Sequence, residues 1–470
     1  MNRLPFIVFV RLCWSLCLCL CLFVGVALPN AYADQAANTW IVLGEGGQAV
    51  VRTVTAASAC PILKQDGKLE RMRVRAPAET IAQRKTASEP SESKPSAFPV
   101  LTCEAILRSG VKSAAVNGKA IALPKAQPRR IVVLGDTGCR MKKADDAFQA
   151  CNEVDAWSFA AVAKKAASFK PDLVIHVGDY HYRENPCPES VEGCRNSPWG
   201  YGFDVWQADF FEPARPLLEA APWVMTRGNH ESCARAGQGY WRFLDPRPYL
   251  KGRDCNEEKY DGIGDYSAPY AIPLGKSADQ SAQLIVFDSA KVPNKKMAKE
   301  DPARLLFSHY LKQVEQLASA ADFNIMINHH PILGFSVGHK DDGSTDFKSG
   351  NTVLQGVMEE LWLQRLFPDR IKMSLAGHVH LFQAVSFHTD HPMQFVSGNG
   401  GTASDKSLPT SVPAEVSPFA AAQVDQFATS NRNGFLVLER EATHWRVRAY
   451  DIEGRLISDC RSQLTKASCQ

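Results

Sequence analysis

The chain has 470 residues, of which 45% are hydrophobic and 22% charged. That balance excludes a mostly disordered chain, a collagen-like repeat and a polytopic membrane protein, and the length allows two or three domains. Lys plus Arg number 53 against 50 Asp plus Glu, a net charge of +3. So near a balance gives no support for a nucleic-acid or acidic-surface partner.

The first segment reads as a leader. Arg3 and Arg11 precede or open an apolar run from Leu12 to Leu28, followed by Pro29 and the small-x-small triplet Ala31-Tyr32-Ala33. This pattern predicts a signal peptide over residues 1–33, cut after Ala33. The competing reading is an uncleaved anchor, because the run is long for a signal. The protein is therefore expected to be exported, periplasmic or secreted, with no membrane span once the leader is removed.

Residues 34–127 alternate apolar and polar positions in short runs, such as Thr39–Leu43 and Met72–Arg75, and predict a small β-rich domain. Within it, residues 86–99 carry Pro90, Pro95 and Pro99 among Ser, Glu and Lys, and read as an exposed loop. From Arg129 the texture changes. Largely apolar runs each end in a polar cluster: Ile131–Leu134 before Gly135-Asp136, Leu173–Val177 before Gly178-Asp179, and Trp223–Met225 before Gly228-Asn229-His230-Glu231. Two more follow, Ile325–Ile327 before Asn328-His329-His330-Pro331 and Ile371–Leu375 before Gly377-His378-Val379-His380. Runs without alternation predict strands buried on both faces, as in α/β folds. Helical spacing recurs at Asp155–Phe169 and His309–Ala321.

In open α/β sheets, sites form beyond the carboxyl ends of strands. Five strand ends bearing Asp, Asn and His can therefore converge on one point. Oxygen and imidazole donors in this number exceed the needs of one divalent ion and suit two ions sharing a bridging carboxylate. Gly135, Gly178, Gly228 and Gly377 are expected to let the backbone turn sharply off each strand.

The order Gly-Asp, Gly-Asp, Gly-Asn-His-Glu, His-x-Pro, Gly-His-x-His resembles the calcineurin-like metallophosphoesterase superfamily. Gly178-Asp179-Tyr180-His181-Tyr182 sharpens this, because Gly-Asp-x-x-Tyr is similar to the purple acid phosphatases. The resemblance covers residues 129 to about 402. It implies two packed mixed β-sheets flanked by helices, an α/β sandwich, over a domain 128–470. It also implies an iron(III) held by Asp136, Asp179, Tyr182 and His380, and a divalent ion (iron, zinc or manganese) held by Asp179, Asn229, His329 and His378. His230, and more loosely His339, would face the phosphate or the leaving group. The implied activity is hydrolysis of small phosphate monoesters by a metal-activated water. A phosphodiesterase on the same site, or a surface metal-binding module with little catalysis, are the alternatives.

Neighbouring residues carry open readings. His181 either competes as a ligand or only hydrogen-bonds. His330 is expected to pack beside His329. Glu231 either orients His230 or caps a helix. The insert Arg183–Phe203, with Cys187, Cys194, Trp199 and Tyr201, either walls the site or is a stapled surface loop. Of 14 cysteines, four lie in the leader and ten remain. Nearest-neighbour pairing is the economical arrangement in an oxidising compartment.

Overall fold

The computed structural model describes residues 38–340, 342–442, 444–463 and 465–470. The expected leader lies outside the described residues.

Two mixed sheets pack face to face. The larger has eleven strands, with a parallel centre in which Arg130–Leu134 pairs with Leu173–His176, and the latter with Trp223–Met225. The smaller has seven, and its parallel centre runs through Gln280–Val286, Phe323–Ile327, Ile371–Ala376 and Met393–Ser397. Alternate side chains of each strand point to opposite faces, and both faces are covered, which explains why these runs are largely apolar. Ile131, Val133 and Ile175 meet Ile325, Ile327, Met373 and Leu375 between the sheets. Val132, Leu134 and Val174 turn outward under the helix Phe159–Ser168 and the segment Phe210–Leu218. On the far side, Met326 and Ile285 are covered by the helices Pro302–Ala318 and Thr352–Trp362. Both of those helices begin with a side-chain cap. Asp301 accepts from Ala303 N at 2.9 Å and Asn351 from Leu354 N at 2.9 Å.

The segment expected as a separate N-terminal domain is instead woven into this architecture. Asn38–Leu43 lies parallel to Trp223–Met225, with Val42 opposite Trp223, and carries Ala49–Thr55, Leu101–Ile106 and Arg73–Ala76 beyond it. Ile62–Gln65, Lys68–Arg71, Ala114–Val116 and Lys119–Ala120 form a small sheet of their own, yet Leu63, Ala114 and Val116 share the inter-sheet core. The described residues form one compact unit with no boundary at residue 127. Alternation within strands reports which face is buried and says nothing about which sheet they join, so the sequence drew a boundary where none exists. The loop 86–99 is largely exposed, as expected.

Five disulfides join Cys60–Cys103, Cys139–Cys151, Cys187–Cys194, Cys233–Cys255 and Cys460–Cys469, the nearest-neighbour pattern. They are consistent with an extracellular protein. Among the described residues no helix is long and apolar enough to cross a membrane.

Candidate metal centre

The strand ends converge as their order requires. Asp136 N donates to Gly178 O at 2.9 Å and Thr137 N to Asp179 O at 3.0 Å, locking the first two loops together. Glu231 fixes the third loop against them: its carboxylate accepts from Asp179 N and Tyr180 N at 2.9 Å and from Gly228 N at 3.0 Å. The bond from Gly228 N is the helix cap expected from sequence, at the start of the short helix Asn229–Glu231; the clamp on Asp179 and Tyr180 was not foreseen.

The sharp turns fall on the functional residues themselves. Asp136, Asp179 and His378 adopt φ of 57°, 59° and 69°. Such left-handed backbone costs a non-glycine residue about 1–2 kcal/mol and persists only where the surroundings enforce it. Of the four glycines expected to turn, only Gly178 has positive φ, at 103°. The others are needed for close approach: a Cβ on Gly228 would overlap Asp179 Oδ1, and one on Gly377 would overlap Asp136 Oδ2.

Two donor groups result, sharing one atom. In the first, Tyr182 Oη lies 3.0 Å from Asp136 Oδ1, 2.9 Å from Asp179 Oδ2 and 2.9 Å from His380 Nε2. In the second, His329 Nε2 is 3.1 Å from both Asp179 Oδ2 and Asn229 Oδ1, and His378 Nδ1 is 2.9 Å from Asn229 Oδ1. Outer partners set the imidazole tautomers. His380 Nδ1 faces Ala403 O at 3.0 Å and His329 Nδ1 faces Val177 O at 2.9 Å, so each Nε2 points inward. In the first group a single hydroxyl proton faces two carboxylate oxygens and an imidazole lone pair, a surplus of acceptors that calls for a cation. Such an oxygen and nitrogen donor set would suit two metal ions, with Asp179 common to both groups.

The electrostatics of the metal-free chain agree. Burial pushes the Asp136 carboxyl well above its ordinary range, and the Asp179 charge adds to the effect. Burial, then Asp179 and Asp136, raise the Tyr182 hydroxyl in the same way. Burial opposes charge on His329, yet the Asp179 carboxylate outweighs it and pushes that imidazole up to about 9. The proton so held occupies the place a cation would take.

His230 stands beside this centre. Its ring lies 4.0 Å from that of Tyr182 and its Nδ1 is 2.6 Å from Glu184 Oε1. Burial, then Arg235, pushes His230 down to about 4, so it is neutral at pH 7. Burial opposes charge on Glu184 as well, but Arg235 and His230 hold it down at about 2. A cavity of about 590 Å³ opens over the donors; its lining includes Arg140, Lys142, Arg235, Lys291, His330 and Asp405.

Seven expected ligands and His230 therefore meet. His339 does not: it is exposed on the hairpin strand Phe335–His339, opposite Thr345, and is absent from the cavity lining. Loop spacing alone could not fix the direction of that strand. His330 lines the cavity instead, packed 4.2 Å from the His378 ring, with Nδ1 3.2 Å from Ser289 Oγ. His181 only hydrogen-bonds, through Nε2 to Gly200 O at 2.7 Å. The insert Arg183–Phe203 lines no part of the cavity. Glu184, Arg235 and Asp405 were missed. The first two lie five residues past Asp179 and His230, a weak signal. Asp405, which accepts from His380 N at 2.9 Å, lies on a returning loop with no signal at all.

A two-sheet sandwich with an oxygen and imidazole donor cluster at the parallel strand ends has the architecture of a metallophosphoesterase. The family model for calcineurin-like phosphoesterase matches residues 129–382, and the chain belongs to that family. Two solved structures share the fold. One is the purple acid phosphatase PPD1 from yellow lupin (Lupinus luteus) seeds: TM-score 0.51, 14% identity, covering 89% of this chain and 72% of that one. The other is PhoD: TM-score 0.51, 14% identity, covering 92% and 91%. No curated protein matches the chain in sequence.

Proposed function

We propose that the protein is an exported phosphomonoesterase with two metal ions, iron(III) in the group around Tyr182 and a divalent ion in the group around Asn229. The observation that carries this reading is the convergence of Asp136, Asp179 and His380 on the Tyr182 hydroxyl. A tyrosine placed among three anionic or lone-pair donors is a ligand set for a hard, highly charged cation. Bound ions would activate a water near neutral pH and neutralise charge on the phosphoryl oxygens. The chain's own residues do the rest. Asp179 sets the spacing of the two groups. Glu184, itself paired with Arg235, holds His230 Nδ1 at the cavity wall, and its other ring nitrogen would first take up a proton there and then pass it to the leaving oxygen.

The test is hydrolysis of 4-nitrophenyl phosphate and bis(4-nitrophenyl) phosphate from acidic to neutral pH, with iron, zinc or manganese and an Asp179→Ala control. Metal-dependent monoester turnover that the control lacks is expected. Preference for the diester would make the protein a phosphodiesterase, and inertness toward both with metal bound would make it a binding module.

A further inference from the structure

The cavity of about 590 Å³ exceeds the volume of a phosphate group and matches sites that enclose a small molecule. Its longest continuous wall is Ala290–Asn294, which contains none of the strand-end motifs. This loop follows the Gln280–Val286 strand and is fixed at its root. Asp288 accepts from Ala290 N at 3.0 Å and pairs with buried Arg227 at 2.5 Å. Ser289 Oγ accepts from His329 N and His330 N, both at 3.1 Å. The wall is thus held in register with a donor-bearing segment.

The wall is also charged. Lys291 lines the cavity, while its carboxylate partner Asp265, 3.2 Å away, stays outside the lining. Across the cavity, Arg140 and Lys142 share one carboxylate, Asp145, which is likewise outside the lining. Beyond Asp179, the sole acidic lining residue is Asp405, whose carboxylate accepts from His380 N. The lining therefore includes more cationic than acidic residues, while Asp265 and Asp145, which pair with these cations, lie outside it. Low-dielectric walls lined in this way focus the field on an anion inside.

Building on the phosphoesterase reading above, we propose that the leaving group of the natural substrate carries a second anionic group, and that Lys291 on the 290–294 loop reads it. Arg140 and Lys142 supply the supporting field. The substrate class is an anionic phosphomonoester. Lys291 is a specificity residue here and takes no part in bond breaking.

The experiment compares kcat/KM for phenyl phosphate and 4-carboxyphenyl phosphate in the full chain and in the Lys291→Met, Lys291→Glu and Lys291→Arg proteins. Taking each protein's ratio of the two values removes the intrinsic reactivity of the leaving groups. The ratio should fall about two- to fivefold in Lys291→Met, as expected for one partly exposed ion contact. It should fall further in Lys291→Glu and be retained in Lys291→Arg, with the change carried by KM of the carboxylate substrate. One ratio common to all four proteins would overturn the inference and leave the phosphoesterase reading intact. No turnover of either ester by the metal-loaded wild type would overturn both.

Discussion

Tyr182 sits at the one point where two carboxylates and an imidazole compete for a single proton. If it ligates iron(III), the iron-loaded protein absorbs visible light, and Tyr182→Phe removes that band while lowering iron affinity. A colourless wild-type iron protein would contradict the assignment. Glu184 acts one step further out, touching His230 and not the substrate. Glu184→Gln keeps the volume and removes the charge, so kcat should drop about 10–100-fold, the usual cost of losing such a support. Metal content should hold, which separates positioning from ligation; unchanged kcat would remove the role. The convergence of the seven expected ligands and His230 was legible because each follows an apolar run, where residue type and strand end together limit the possibilities. Glu184 and Arg235 were not, because what they do depends on side chains meeting across loops, which no local pattern encodes.

The strand-to-loop turns show how an element's geometry imposes a site. The extended strand must reverse within one residue, and the left-handed φ falls on Asp136, Asp179 and His378. The preceding glycines make room. Gly228→Ala would force its Cβ into Asp179 Oδ1 and into the backbone nitrogen of Asp179, which cannot yield. We expect correctly assembled protein to lose metal affinity by about 10–100-fold, comparable to displacing a ligand's support. Gly262 is the matched control, since nothing lies within 4 Å of its would-be Cβ. Gly262→Ala should leave metal binding unchanged, as read by isothermal titration. The sequence marked these glycines correctly, but the expected reason holds for Gly178 alone, since neither residue type nor spacing distinguishes a glycine that bends from one that yields space. The apolar runs themselves located strands 130–134, 173–176, 223–225, 323–327 and 371–376 within a residue or two, because burial on both faces leaves few polar positions in a strand.

At the scale of the whole molecule, the N-terminal strands and the segment Trp241–Asp245 are joined by a buried charge cluster. Glu104 contacts Arg75 at 2.9 Å and Arg52 at 3.2 Å, and those arginines donate onward to the carbonyls of Trp241, Arg242, Phe243 and Asp245. Burial opposes the Glu104 charge, but Arg52 and Arg75 outweigh it and hold the carboxyl below its ordinary range. Its contribution to stability is therefore complete above the unfolded value near ~4.3 and is lost as pH falls toward the lower folded value. Glu104→Gln should cost about 3–5 kcal/mol at neutral pH, because it strands two buried guanidinium groups. It should also flatten the fall in Tm between pH 5 and pH 3. An unaltered acid slope would show that other carboxylates govern it. The same cluster bears on whether residues 128–470 stand alone. Removing the first strands would strip the partner from Trp223–Met225, expose Trp40 and Val42 contacts in the helix-side core, and open the carbonyls that Arg52 and Arg75 now satisfy. A chain beginning at residue 128 should then fail to give a cooperative thermal transition or take up metal, whereas one beginning at residue 34 should do both. A cooperative, metal-binding 128–470 fragment would mean that the shared sheet is an accretion on an autonomous catalytic unit.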